Sequence, residues 1–276
     1  MKVVALIVQT VRELVAKATL FVLAGISTLI ILVVLLSIGS TETPEGVVLT
    51  MFSLPVSPPS PADKLAEVVS IMQAGFAGGL FVGVVIFGVF ATAGIVPDTL
   101  EKGTIDLYLS KPVARWELLL GRYLGAVVVM LINILYFLGA IWVIIGFKVG
   151  VWNVHFLFAA LSLTFVFACL FSLTLALGVL FRNTAIPIIG SFLHLFVIGG
   201  ILEHRDQSLF LISENAVYRR IIDGFYYLLP QISAMQENVA NLIMQQTITW
   251  EPFVQSFLVA ALYFGAAVVL FMKMDF

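Results

Sequence analysis

An all-α integral membrane protein of six transmembrane helices is the fold class this sequence predicts, and three observations carry it. Apolar residues make up 61% of the chain and charged residues only 11%, whereas soluble domains carry about a quarter charged. Mean hydropathy is +1.12. Six apolar segments, 18–38, 74–96, 123–147, 156–181, 185–202 and 252–272, approach or exceed the about 20 residues needed to cross a core of about 30 Å. Backbone polar groups in lipid must be satisfied within the segment, so these are helices and not strands. The 276 residues read as a single transmembrane domain, 1–276, and the net charge of −2 gives no sign of a nucleic-acid partner. One cysteine, Cys169, lies inside an apolar run, which excludes a disulfide framework and a thiolate metal cluster.

The chain opens with "VVALIVQTVRELVAK", where Gln9, Arg12, Glu13 and Lys17 fall near one helical face while Val8, Val11, Leu14 and Val15 point elsewhere. This predicts an amphipathic helix lying along the inner leaflet, the alternative being that the first span begins early. Segment 18–38 exceeds the apolar core of a cleaved signal, about 7 to 15 residues, and no A-x-A site follows, so it reads as a retained anchor. Between the first two spans "LPVSPPSPADK" carries Pro55, Pro58, Pro59 and Pro61 and predicts an extended surface loop. On the second span Gly75, Gly79 and Gly83 recur every four residues, a small-residue stripe for helix packing.

Basic residues set the orientation. With the N-terminus inside, the inner segments hold nine of the 14 Lys and Arg residues, and the longer outer segments hold Lys64, Lys148, Arg205, Arg219 and Arg220. That bias places both termini and the loop 97–122 in the cytoplasm. The stretch from Pro97 to Ala126 concentrates eight of the chain's 30 charged residues. In it Asp98 and Glu101 have capping-box spacing, so a short helix is expected to start at Asp98. Gly103 interrupts it, and Pro112 suits the first turn of the third span, which begins around Pro112 to Arg115.

Asn133 on the third span and His194 on the fifth are the intramembrane polar candidates, each able to hydrogen-bond a neighbouring helix or to serve a function. His155, His194, His204, Glu203 and Asp206 match no metal-ligand spacing. The outer segment 203–250 predicts a helical hairpin around Pro230. Ile232, Met235, Val239 and Leu242 form its apolar row, with Gln236, Glu237, Asn238 and Asn241 on the wet side.

The run "EKGTIDLYLSKPVARWELLLGRYLGA" resembles the cytoplasmic loop of type-2 ABC transporter permeases of the exporter class. The matched positions are Glu101, Gly103, Thr104, Leu107, Leu109, Ser110, Lys111, Pro112, Arg115, Gly121, Arg122, Tyr123, Leu124 and Gly125. The permeases of the nitrous-oxide-reductase maturation system are among the relatives it resembles. Where such relatives commonly carry Ser or Thr this chain has Ala114, which cannot accept a capping bond, so the helix start is expected to shift toward Ser110 or Lys111. The resemblance implies a coupling helix seated in a groove of an ATPase subunit. The residues assigned to it are Asp98, Glu101, Gly103, Thr104, Asp106, Leu107, Leu109, Lys111, Pro112 and Arg115.

The chain has no G-x-x-x-x-G-K-[ST]. No catalytic, metal or cofactor site of its own is expected, and the resemblance implies that ATP and magnesium are bound by two copies of a partner ATPase. It implies further a second permease copy, as a homodimer or with a relative, in a bacterial or archaeal cytoplasmic membrane. Export of a substrate and mechanical transduction to an extracytoplasmic protein share this loop, the second using 203–250 as its docking surface around Tyr218, Arg219 and Arg220. An intramembrane enzyme would need paired acids or a nucleophile with a base inside the spans.

Overall fold

A computed structural model describes residues 2–16, 18–44, 46–61, 64–100, 113–213 and 215–274. Helix α1 (Lys2–Ala16) leads into α2 (Ala18–Ser37). Among the described residues, five helical segments are long and apolar enough to cross a membrane: Leu65–Leu100, Arg115–Val149, Val154–Phe181, Ala185–Glu203 and Glu251–Met272. The α1–α2 pair, bent by 70°, makes a sixth if counted as one span. The buried face of α1 is Leu6, Thr10 and Leu14, one residue per turn. Val8 and Val15 are exposed, so Leu14 turns inward and away from the two valines with which the sequence grouped it.

The loop after α2 departs from the expectation of extended surface chain. Strands β1 (Ile38–Thr43), β2 (Gly46–Met51) and β3 (Leu54–Pro55) form an antiparallel sheet in the order β1-β2-β3. The prolines stay at its margin: Pro55 ends β3, and Ser60, after Pro58 and Pro59, exchanges two backbone bonds with Val47 at 2.9 and 3.0 Å. The sheet is tied to the end of the third span by Lys148, whose Nζ donates to the carbonyls of Leu35 and Ile38, the latter at 2.8 Å.

Helix α3 (Leu65–Ala93) starts nine residues before the apolar segment read as the second span, and α4 (Ile95–Leu100) follows after Gly94. Asp98 does not begin this helix. It is the fourth residue of α4, with its amide bonded to the Gly94 carbonyl at 2.9 Å. Pro97 explains the earlier start: in a first turn its missing N–H costs no intrahelical bond, and the acidic Asp98 beside it suits the positive end of the helix dipole.

Helix α5 (Arg115–Val149) begins where Ala114 is extended, at φ −72° and ψ 146°. The expected shift toward Ser110 or Lys111 does not occur. The Ala114 methyl accepts nothing, but the Glu117 carboxylate accepts from the Ala114 amide at 2.9 Å, so half of the capping box fixes the start. Gly150, at φ 81°, ends the helix in the left-handed conformation that glycine adopts without penalty.

Helix α6 (Val154–Phe181) is the most enclosed span, packed between α5, α3 and the last helix. Being apolar all round, it has no wet face to present. Phe156, Phe167 and Phe171 are wholly buried, and Thr164 and Thr174 bond carbonyls of their own helix. Helix α7 (Ala185–Glu203) changes to the π form from His194 to Ile198. Helices α8 (Ala216–Leu228) and α9 (Ile232–Ile243) form the hairpin, and α10 (Glu251–Met272) closes the bundle. Ile232, Met235, Val239 and Ile243 are the buried apolar row of α9. Asn238 belongs with them and not on the wet side: its Nδ2 donates to the Ala234 carbonyl at 2.8 Å and its Oδ1 accepts from the Thr249 amide at 2.7 Å, pinning the return to α10.

Candidate functional site: a joint of α1, α5, α6 and α10

Both termini and the start of α5 share one end of the bundle, and here the residues of "GRYLG" divide their work among three neighbouring helices. Gly121 and Gly125 lie one turn apart on α5 and receive α1. A Cβ at Gly121 would collide with the Leu6 side chain, and one at Gly125 would stand 2.6 Å from Thr10 Cβ and 3.2 Å from the Ile7 carbonyl oxygen. The fit leaves no room for any larger residue at either position.

Arg122 sits between these glycines and is 5% exposed. Its Nη1 pairs with Glu13 Oε2 on α1, and Nη2 donates to Glu13 Oε1 at 3.3 Å. A buried guanidinium is tolerable because a carboxylate meets it. Tyr123 points the other way, its hydroxyl donating to the Ala168 carbonyl of α6 at 2.9 Å. Its ring stacks on Phe171 and lies 5.2 Å from that of Phe264 on α10.

Arg115, at the first position of α5, holds the end of α10. Nη1 donates to the carbonyls of Met274 at 2.7 Å and Met272 at 3.1 Å. The last carbonyls of a helix lack intrahelical donors, and a guanidinium both satisfies them and complements the dipole. Helix α4 packs on the same end of α6, where Gly178 lies near Val96 and Pro97. Asp98 and Arg115 thus flank the segment assigned to coupling. Glu101, Gly103, Thr104, Asp106, Leu107, Leu109, Lys111 and Pro112 lie outside the described residues.

Arg122, Gly121 and Gly125 were matched in the sequence only as part of a motif. Their role, seating α1, was signalled by the four-residue spacing of Gly121 and Gly125 against that of Leu6, Thr10 and Leu14. The remaining predicted residues fall away from this joint. Gly75, Gly79 and Gly83 are approached by no helix of the described chain, and a Cβ at any of them would meet nothing within 4 Å. They line a cavity of about 320 Å³ between α2, α3 and α5. Asn133 is buried and its Oδ1 accepts from Ser27 of α2 at 3.4 Å. His194 contacts the hairpin, with Nε2 3.1 Å from the Pro230 carbonyl oxygen. Among the described residues no three His, Cys, Asp or Glu side chains converge on a point that could hold a metal ion.

A multi-pass membrane bundle whose charged side chains at one end lock its helices together defines a membrane subunit and not a soluble module. The chain belongs to a transporter family: the family model described as ABC-2 family transporter protein matches residues 28–276. It is therefore the permease component of an ABC transporter, a class in which the ATPase is a separate subunit and permeases pair in the membrane. No curated protein matches the chain.

Proposed function

We propose that this permease is the membrane subunit of an exporter, in which the joint of α1, α5, α6 and α10 is cytoplasmic and transmits the closing of two partner ATPases into the bundle. ATP and magnesium are held by those ATPases, which dock against the segment between Asp98 and Arg115. The observation that carries this reading is the joint itself. Arg115, Gly121, Arg122, Tyr123 and Gly125 bind the base of α5 to α1, α6 and α10. A displacement entering beside Arg115 therefore moves four helices together and not one.

The test is co-purification of the full chain with a candidate partner ABC ATPase, and ATPase stimulation in lipid nanodiscs. Glu101→Ala with Gly103→Pro is expected to abolish association and stimulation. Unchanged association and stimulation would remove the docking assignment.

A second reading, transduction of the motion to an extracytoplasmic protein, is favoured by one observation. Helix α8 exposes Val217, Ile221, Phe225 and Leu228 in a single row. Of the residues the sequence nominated for such docking, Arg220 is exposed, whereas Arg219 is half-buried and directed at the Phe210 and Ser213 carbonyls. Retention of a secreted partner by the full complex, lost on Ile221→Ser with Phe225→Ser, would select transduction. ATP-dependent efflux by vesicles holding only the permease and ATPase would select export.

A further inference from the structure

Helix α7 is interrupted where it carries its one histidine. From His194 to Ile198 the helix is π, and the Gly199 amide donates to the His194 carbonyl five residues back. Single-turn π segments are uncommon and frequently sit at functional sites. His194 is 3% exposed and nine residues from either end of Ala185–Glu203. Its bond to Pro230 therefore brings the tip of the α8–α9 hairpin level with the middle of the span.

That bond also assigns the ring. A carbonyl oxygen only accepts, so Nε2 carries the hydrogen, and in the neutral imidazole Nδ1 is left as a lone-pair acceptor. Nδ1 is buried and has no hydrogen-bond partner among the described residues. A buried acceptor left in that state costs about 1–3 kcal/mol, which asks what it receives. The ring lines a cavity of about 20 Å³, room for about one water.

The cavity has a direction. His194, Gly199 and Glu203 of α7 line it on one side, and Tyr226, Gln231 and Ser233 of the hairpin on the other. Glu203 stands nine residues beyond His194, about 13 Å at the α-helical rise, so the lining runs from mid-span to the end of α7 remote from the joint. Gly199 keeps the turn over the ring narrow. A Cβ there would come within 2.9 Å of the His194 carbonyl oxygen and 3.9 Å of Cε1.

We propose that this cavity is a proton-binding site, in which His194 Nδ1 takes a proton delivered by water from the end of α7 remote from the joint. An N–H bond forms at Nδ1 as a hydronium O–H bond breaks, and water is left behind. The Nε2–H bond to Pro230 persists and becomes charge-assisted, so proton uptake tightens the hairpin tip on α7. Glu203 and Tyr226 are the titratable groups in the lining, and α3 and α6 add no charged side chain to it. Burial raises the Tyr226 phenol above its ordinary value, so it stays neutral. Behind it Arg205 stacks on the Tyr226 ring at 3.8 Å and bonds Asp223 at 2.8 Å, which commits that cation outside the cavity.

The chain has three histidines, so His155→Gln with His204→Gln leaves His194 as the sole imidazole. Nitrogen NMR of this ¹⁵N-histidine-labelled full chain in phosphatidylcholine nanodiscs reads both ring nitrogens between about pH 8 and 4, a window wide enough for a buried imidazole to change charge. Expected are a bare Nδ1 at the upper end and reversible protonation of both nitrogens at the lower. A ring that stays neutral throughout, or that carries its hydrogen on Nδ1 at the upper end, overturns the site. Ser233→Leu, which narrows the cavity without altering the π turn, is expected to slow proton exchange at Nδ1 about tenfold. Unchanged exchange would overturn the route.

Discussion

Two glycine stripes with the same four-residue spacing lie in this bundle, and they do opposite things. At the base of α5, Gly121 and Gly125 are filled by Leu6 and Thr10 of α1, and the arginine between them is locked to Glu13. Along α3, Gly75, Gly79 and Gly83 meet nothing and border a cavity of about 320 Å³ lined mostly by aliphatic and Phe side chains. Spacing says only that a backbone is accessible. Whether a helix occupies it depends on a partner with a matching row, and α1 supplies one in Leu6, Thr10 and Leu14. The closed stripe joins helices within the chain, whereas the open one leaves room beside α2.

The largest expected effect breaks the closed stripe through its charge. Glu13→Ala removes the Glu13 carboxylate from the Arg122 side chain, 6% exposed, and breaking one side of a buried pair costs about 3–5 kcal/mol. Arg122→Met should cost less, about 1 kcal/mol, because Glu13 is 40% exposed and rehydrates. Thermal unfolding of both variants in one detergent reads the asymmetry, and equal losses would mean the pair is not buried as described. Next comes Gly125→Leu, which drives a side chain into Thr10 and should cost about 1–3 kcal/mol by overpacking. Cysteine cross-linking of α1 to α5 should fall in parallel. Undiminished cross-linking would show that α1 is held by something other than the stripe.

The helical membrane class was legible because a run of apolar residues long enough to cross lipid has few other uses. The joint was half legible. Arg115, Gly121, Arg122 and Gly125 stood out as a motif, but their partners are distant in sequence: Arg122 and Glu13 lie 109 residues apart. The threonine at the centre of the inward face of α1 hid that face from an apolar pattern, since Thr10 is buried by satisfying the Leu6 carbonyl at 2.9 Å. The sheet after α2 was invisible for a different reason. Its β2–β3 turn places Phe52 and Ser53 at φ 53° and 63°, a hairpin turn that Asn and Gly ordinarily announce. The contact of His194 with Pro230 joins residues 36 apart through a π turn that no local propensity encodes.

A smaller effect is expected at Arg115. Arg115→Gln removes the cation from the last carbonyls of α10, worth about 0.3–1 kcal/mol where a charge meets a helix end. Hydrogen exchange should rise at the amides of Lys273 and Met274, which close that last turn, and stay unchanged at the buried middle of α6. A rise spread over the whole bundle would make Arg115 a support of the entire fold and not a local tie.

The smallest effect sharpens the comparison most. Gly79→Ala adds a methyl that meets no atom within 4 Å, and in a helix it also removes the backbone freedom of glycine, which favours alanine by about 1 kcal/mol. The isolated chain should therefore unfold at an unchanged or slightly higher temperature, whereas Gly125→Leu lowers it. Destabilisation of the isolated chain by Gly79→Ala would mean that α2 closes on α3 in the membrane and that both stripes are filled from within. Destabilisation confined to the paired permease would mean that the open stripe is filled from the second copy. The two results separate by measuring unfolding at concentrations above and below that at which the permeases pair, because only a contact between copies makes the penalty depend on protein concentration.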